Sequence, residues 1–395
     1  MPTTQRAQEV NVRNLGAAGD NRADDSEAIQ KALDSGAGRV VIPCGVYCIG
    51  RTLKVTSHTR VTVDPKAIIR LADGAGSRGD RFLMTNRNPG NGNEDIVVEG
   101  GIWDGNNANN PRGAESDPDA YTGVVLNFVN VTGLVIRQLA VRDPESFSIR
   151  VGEVRDFVVE DILFDHKRIR PNQDGIHVGG YSERGQIRRL RAELPMATND
   201  DMVALNADDD VERVINRGMR KGPIRDIIVS DVKGNDVYTF IRMLSQSAPL
   251  ERITIDQVSG SCRALGLNLN NWTYPLGHGA IRDVIFRNLE LAKTATSSET
   301  KTLIDIALWV NGLVLEDLRL GPDHRNNVST LTIRHGRPFV ADLGGLAPDQ
   351  VESLRRASSG VTLHPAGDHW RVEAAPGATF ILPKGPIPYL KLTPA

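Results

Sequence analysis

Three aspartates in two short phrases are the residues of this chain best suited to acid–base chemistry. Asp174 lies in Asn172-Gln173-Asp174-Gly175-Ile176-His177-Val178; Asp200 and Asp201 lie in Asn199-Asp200-Asp201-Met202-Val203-Ala204-Leu205. Each phrase reads as a short strand that begins with acidic residues. Alternation along a strand sends Ile176 and Val178 into a core and leaves His177 on the outer face, and it stacks Ala204 on His177 in the same way. Phe240-Ile241-Arg242-Met243 and Gly266-Leu267-Asn268-Leu269 add Arg242 and Asn268 to that column, with Arg150 of Ser148-Ile149-Arg150-Val151 below it. The expected surface is a shallow, polar, cationic groove with room above Ala204. On adjacent strands about 4.8 Å apart, the Asp174 and Asp201 carboxylates come within roughly 5 Å. Two carboxylates that close do not ionise independently, so one is pushed toward its protonated form at neutral pH. A protonated acid beside an ionised carboxylate is the pair that cleaves a glycosidic bond, and this spacing by itself allows retention as readily as inversion.

Other residues could hold a sugar beside those aspartates. Asn270 continues the Asn268 strand, and Tyr238, Trp272 and Tyr274 could stack on sugar rings. Asp208-Asp209-Asp210 reads as a solvated acidic loop rather than a calcium site. The three cysteines, Cys44, Cys48 and Cys262, cannot all pair internally and have no metal-type spacing, so they are expected to be small buried thiols. No cofactor or metal is expected.

The elements that must position these groups are short strands. With 38 glycines and many Asn and Asp residues, the chain fits strands joined by tight turns. One segment, residues 25–35, reads as a helix, with Asp24 and Glu27 as a capping box and Gly36 as its stop. From Ile96 to Leu320 one phrase recurs: three or four apolar residues, two polar residues, then another apolar one. It appears as Leu134-Val135-Ile136-Arg137-Gln138-Leu139, as Phe157-Val158-Val159-Glu160-Asp161-Ile162 and as the shorter Ile187-Arg188-Arg189-Leu190. It returns as Ile227-Ile228-Val229-Ser230-Asp231-Val232 and Ile253-Thr254-Ile255-Asp256-Gln257-Val258. The last copies are Val284-Ile285-Phe286-Arg287-Asn288-Leu289 and Leu313-Val314-Leu315-Glu316-Asp317-Leu318. Copies fall roughly 23 to 31 residues apart, with one gap of about 42. Strands this short bury their apolar face only by stacking on one another, and the polar pair marks a corner. The expected fold is all-β, a right-handed parallel β-helix with an N-terminal capping helix. It forms one domain: 1–50 as cap and first coil, 51–327 as stacked coils, 328–395 as a C-terminal cap. Residues 208–222 are then an insertion.

The chain resembles a known group. Val12-Arg13-Asn14-Leu15-Gly16-Ala17-Ala18-Gly19-Asp20, Asp24-Asp25-Ser26-Glu27-Ala28-Ile29-Gln30 and Val40-Val41-Ile42-Pro43-Cys44-Gly45-Val46-Tyr47 look like the pectate-lyase-superfamily opening "GA.GDG..DDT.AIQ … V.FPPGTY". Further on the chain is similar to the polygalacturonases of glycoside hydrolase family 28. Gly101-Ile102-Trp103-Asp104-Gly105 resembles "G.IDG", and Arg142-Asp143-Pro144-Glu145-Ser146-Phe147-Ser148-Ile149 resembles "NSP.W.I". The two aspartate phrases resemble "NTDGI" and "GDDCIAI". The resemblance covers most of residues 10–330. It implies inversion, with Asp200 as general acid and Asp174 and Asp201 holding the attacking water. The chain departs from the family where Asn235-Asp236-Val237-Tyr238-Thr239-Phe240 replaces a Gly-His-Gly; Gly277-His278-Gly279 comes two coils later. Leu267-Asn268-Leu269 replaces the "RIK" that binds a uronate carboxylate, which removes the reason to expect galacturonate.

A net charge of −2, with 24% charged residues, gives no basic excess for nucleic acid or membrane surfaces. Residues 1–10 lack the apolar run of a secretory signal, so the chain as given reads as cytoplasmic, or as secreted with its signal missing. The expected partner is a carbohydrate substrate. Three functions are in play: a glycoside hydrolase, with Asp174, Asp200 and Asp201 catalytic and His177, Arg242, Asn268, Asn270, Arg150, Tyr238 and Trp272 binding substrate; a uronate lyase or epimerase; and a non-catalytic β-helix of tailspike or adhesin type.

Overall fold

The structure is a computed structural model that describes residues 8–78, 82–117, 119–295 and 301–395; residues 1–7 of the polar opening lie outside these. The chain is all-β. Among the described residues the α-helices are α1, Ser26–Leu33, and α2, Pro348–Ala357, and no helix is long and apolar enough to cross a membrane. The chain divides into two compact units, residues 1–173 with 210–219 and residues 174–209 with 220–395.

In the first unit, strands pair in parallel with strands roughly one repeat further along. One ladder stacks Val40, Val61, Val98, Ile136 and Val159 in a single column, every member fully buried. A second runs through Tyr47, Ile69, Trp103 and Val141, and a third through Met84, Leu126 and Ile149. Each strand alone presents too little apolar surface to bury, and stacking makes one continuous core from many small contributions.

The second unit repeats the arrangement. Ile187, Val229, Ile255, Phe286 and Leu315 form one buried column. Ile176, Val203, Ile241, Leu267, Ile304 and Leu331 form another. The strand Ile387–Pro394 closes the first column antiparallel on Val310–Leu320, and His369–Leu382 closes the second on Ser329–Ile333. These antiparallel strands cover edges that would otherwise template association.

The polar pair of the repeat marks a corner with a definite conformation. Its second residue is left-handed in every copy: Gln138, Asp161, Arg189, Asp231, Gln257, Asn288 and Asp317, with φ between 52° and 58°. One such residue redirects the strand without breaking the ladder. Asp and Asn tolerate this region best among residues with a Cβ, and they hold four of the seven corners.

Three local expectations are corrected. Asp24 and Glu27 do not form a capping box: Asp24 Oδ1 accepts from Ser26 N and Gly50 N, and Glu27 pairs with Lys31 at 2.7 Å. Asp25, at the N-cap position, turns its carboxylate to the Ala18 and Gly19 amides, tying the start of the helix to the chain before it. A second helix, α2, interrupts the C-terminal strands; it opens on Pro348, and Gln350 caps Ala347 N. Cys44 is exposed, whereas Cys48 and Cys262 are buried thiols as expected.

Candidate active site

The site is assembled entirely within the second unit by strand register. His177 of Ile176–Gly179 pairs with Ala204 of Asp201–Asn206, Ala204 with Arg242, Arg242 with Asn268, Asn268 with Asp305, and Asp305 with Thr332. Four of the five residues of the column expected from alternation are therefore stacked in this unit, where the column runs two residues further; the fifth, Arg150, lies in the first unit. Inward neighbours fix it: a slip of one residue would expose Ile176, Val203, Ile241 and Leu267, all now at 0–1% exposure.

Asp174, Asp200 and Asp201 stand where two of these strands begin. Gly175 N donates to Asp201 O at 3.0 Å and Thr239 N to Asp200 O at 3.2 Å, which ties the start of each strand to its neighbour. One carboxylate oxygen from each aspartate lies within 4.8 Å of the others. Asp174 and Asp201 are buried and Asp200 is partly exposed. Burial raises the Asp174 carboxyl to about 7 against the pull of His177, with the Asp200 charge adding to the rise. Burial and then the Asp200 and Asp174 charges hold Asp201 well above the usual carboxylate range, with Arg242 opposing. The same three oxygens are also a set that a hard cation could share.

His177 bridges two carboxylates. Its Nδ1 is 2.6 Å from Asp174 Oδ2, and its Nε2 is 2.9 Å from Asp209 Oδ2. Burial works against a proton on the ring, but the contacts with Asp174 and Asp209 prevail and lift it to about 9, so the ring is cationic at neutral pH. Asn206 Nδ2 donates to the same Asp209 oxygen at 3.3 Å. Arg242 is buried and gives one nitrogen to Asn268 Oδ1 at 2.5 Å and Asn270 Oδ1 at 2.6 Å.

Several sequence expectations meet a different environment. The column is not an open cationic groove: His177, Ala204 and Arg242 are at most 6% exposed, and His177 and Arg242 face carboxylates. Asp209 is the residue beside His177 that the sequence conceals. Its acidic run reads as a solvated loop, yet Asp208 and Asp209 are both buried. Asp208 Oδ2 accepts the amides of Gln246, Ser247 and Ala248 at 2.6–2.7 Å, and its carbonyl accepts the Tyr274 hydroxyl. The signal that could have found Asp209 is its position: it follows a site strand at once and so begins any insertion at the strand's end.

Arg150 belongs to the first unit and is fully buried. It donates to Asn127 Oδ1 at 2.8 Å, to Ile215 O and to Arg217 O, which makes it a brace for residues 215–217 rather than a groove cation. Asn270 Oδ1 accepts from Trp272 N as well as from Arg242. The Trp272 ring is 46% exposed and meets Tyr274 edge to face. Tyr238 is 36% exposed beneath the Arg263 guanidinium, which itself holds Asn199 Oδ1 beside Asp200 at 2.6 Å. His278 lies in a turn whose carbonyl accepts Trp309 N.

Comparison with known proteins finds a pectate-lyase-like likeness in the N-terminal quarter of the chain. Residues 9–110 match the family described as Rhamnogalacturonase A/epimerase, pectate lyase-like. The preneck appendage protein of Bacillus phage PZA is 40% identical over 100 residues, 25% of this chain and 11% of that protein. The Arabidopsis thaliana protein named Probable polygalacturonase is 24% identical over 294 residues, 71% of this chain and 58% of its own length. Among solved structures, the family 28 exopolygalacturonase of Yersinia enterocolitica superposes with a TM-score of 0.59 at 17% identity, covering 84% of this chain and 73% of that one. The Streptococcus pneumoniae surface protein and adhesin PfbA reaches the same TM-score at 14% identity, covering 82% and 89%. At these identities the structural likenesses speak to the fold alone.

Proposed function

We propose that the chain is a glycoside hydrolase of the family 28 type, built as one right-handed parallel β-helix over residues 1–395, that cleaves O-glycosidic bonds of a polysaccharide or oligosaccharide. The observation that carries the reading is the carboxylate trio, with one oxygen of each aspartate within 4.8 Å of the others where neighbouring strands begin. Two of the three are held above the ordinary carboxylate range, so the coupled trio shares a proton at neutral pH. That mixed state lets one group protonate a leaving oxygen while the others polarise a water.

Asp200, the most accessible of the three, is the general acid and delivers the proton that the three neighbouring carboxylates share. Asp174 and Asp201 hold the attacking water between them, and His177 keeps Asp174 oriented through the 2.6 Å contact. Trp272 offers an exposed ring for stacking on the apolar face of a sugar. The family resemblance implies inversion, while carboxylates this close also allow retention, and proton NMR of the first-formed anomer distinguishes the two.

A lyase or epimerase would need a base free to take the proton α to a carboxyl. His177 faces carboxylates through both ring nitrogens, which argues against it in that role. A binding protein of adhesin type has support in the PfbA and phage likenesses. It gives no reason for carboxylates to be buried together. The test is release of reducing ends from a panel of polysaccharides. Hydrolysis yields them without the absorbance of unsaturated uronates; that absorbance would convert the reading to a lyase, and no product from any polymer would favour binding alone.

A further inference from the structure

We infer that this site takes neutral sugars rather than uronic acids, and that Asp209 is the residue that sets the selectivity. The inference rests on the hydrolase reading and adds the substrate class. A sugar carboxylate is recognised by a cation with donors to spare, most strongly by a bidentate guanidinium. Two buried cations face this site from the strand column; one has a carboxylate at each of its nitrogens, and the other has one nitrogen held by two side-chain amides and three carboxylates nearby. His177 lies between Asp174 and Asp209, at 2.6 and 2.9 Å. Arg242 is held by the side-chain oxygens of Asn268 and Asn270.

The charge balance within this unit points the same way. Asp174, Asp200, Asp201 and Asp209 surround the two cations, and the next acid in the column, Asp305, is matched by Arg334 at 2.9 Å. Even with two of the four carboxyl groups protonated, the other two match the two cations one for one, so no unbalanced positive charge is left for an incoming carboxylate, and a charge without a partner discriminates strongly between ligands. Neutral hydroxyls have no such difficulty: they donate to carboxylates and accept from amides. Asp209 is singled out because Oδ2 stands on the Nε2 side of His177, where a substrate carboxylate would pair if it were absent. It is held there by Asn206 and by its neighbour Asp208, which is anchored on three backbone amides.

The experiment compares matched polymers that differ only at C6. Polygalacturonate, alginate and glucuronan are each assayed beside the same polymer after chemical reduction of its carboxyl groups to alcohols. Wild type should cleave at least one reduced polymer with a kcat/KM at least about tenfold above that of its uronate parent. Asp209→Asn should shrink that ratio by about tenfold, whereas Asp209→Glu, which keeps the anion, should preserve it. The ratio is internal to each variant, so partial loss of folded protein does not move it; if Asp209→Asn fails to fold, the wild-type ratio and Asp209→Glu still decide. Cleavage of a uronate polymer as fast as its reduced form, or an unchanged ratio in Asp209→Asn, overturns the inference and leaves the hydrolase reading standing. No reducing ends from any polymer overturns both.

Discussion

Between Asp174 and Asp209 the chain buries a histidine and places a carboxylate at each of its nitrogens, and the protons of the site follow from that arrangement. Because Asp174 is raised to about 7 and His177 to about 9, the carboxylate cluster keeps a proton through neutral pH and the ring keeps its charge. Turnover should therefore fall as pH rises beyond about 7, and a kcat/KM profile across roughly pH 4–9 should show this alkaline limb. Asp200→Asn should lower kcat by about 10²–10⁴-fold with circular dichroism unchanged, the usual worth of a positioned acid. The sign for stability is opposite to that of an ordinary surface carboxylate. An Asp whose folded pKa is raised costs nothing below its unfolded value near 3.8, and its penalty grows until pH passes the folded value. The His177 contribution is full below 6.5 and is lost as pH climbs through about 9. Both effects lower stability on the alkaline side, so thermal midpoints should drop from about pH 6 to about pH 9. Asp201→Asn should be less sensitive than wild type at about pH 8 and indistinguishable from it below about pH 3, where Asp201 is largely neutral in both states.

At the scale of elements, the recurring corner was legible because its cause is local. A polar pair after three apolar residues marks where the strand must turn, and the second residue of the pair is left-handed at all seven copies. Gln257→Val, which puts a β-branched residue at φ 58°, should cost about 1–3 kcal/mol, and Gln257→Gly much less, by urea denaturation. The His177–Ala204–Arg242–Asn268 register was legible for the same reason, since period-two alternation needs no knowledge of distant residues. What stayed hidden depends on tertiary partners. Nothing local shows that Asp25 would turn its carboxylate to Ala18 and Gly19, or that α2 would form among C-terminal strands. The burial of Asp208 and Asp209 was equally hidden, because an Asp-Asp-Asp run looks solvated until Asp208 meets amides 38 to 40 residues away. Asp208→Ala leaves three of those amides without their acceptor. It should destabilise by about 2 kcal/mol or more and speed proteolysis near residues 246–248.

For the whole molecule, stacking of short strands supplies rigidity, and the chemistry occupies one column of it. The apolar residues that alternate with the site column hold His177, Arg242 and Asn268 to the spacing of the ladder, so carboxylates at the starts of adjacent strands stay within reach of one water. The first unit contributes parallel ladders of the same kind, and its Arg150 is consumed by bracing. The central claim is that buried, proton-sharing aspartates hydrolyse a glycosidic bond. It is tested most directly by incubating wild type, Asp200→Asn and Asp201→Asn with native and carboxyl-reduced polysaccharides while following reducing ends and unsaturated-uronate absorbance together. The account predicts reducing ends without unsaturation from wild type and a loss of at least about a hundredfold in both variants. Unsaturated products, or variants that turn over as fast as wild type, would contradict it.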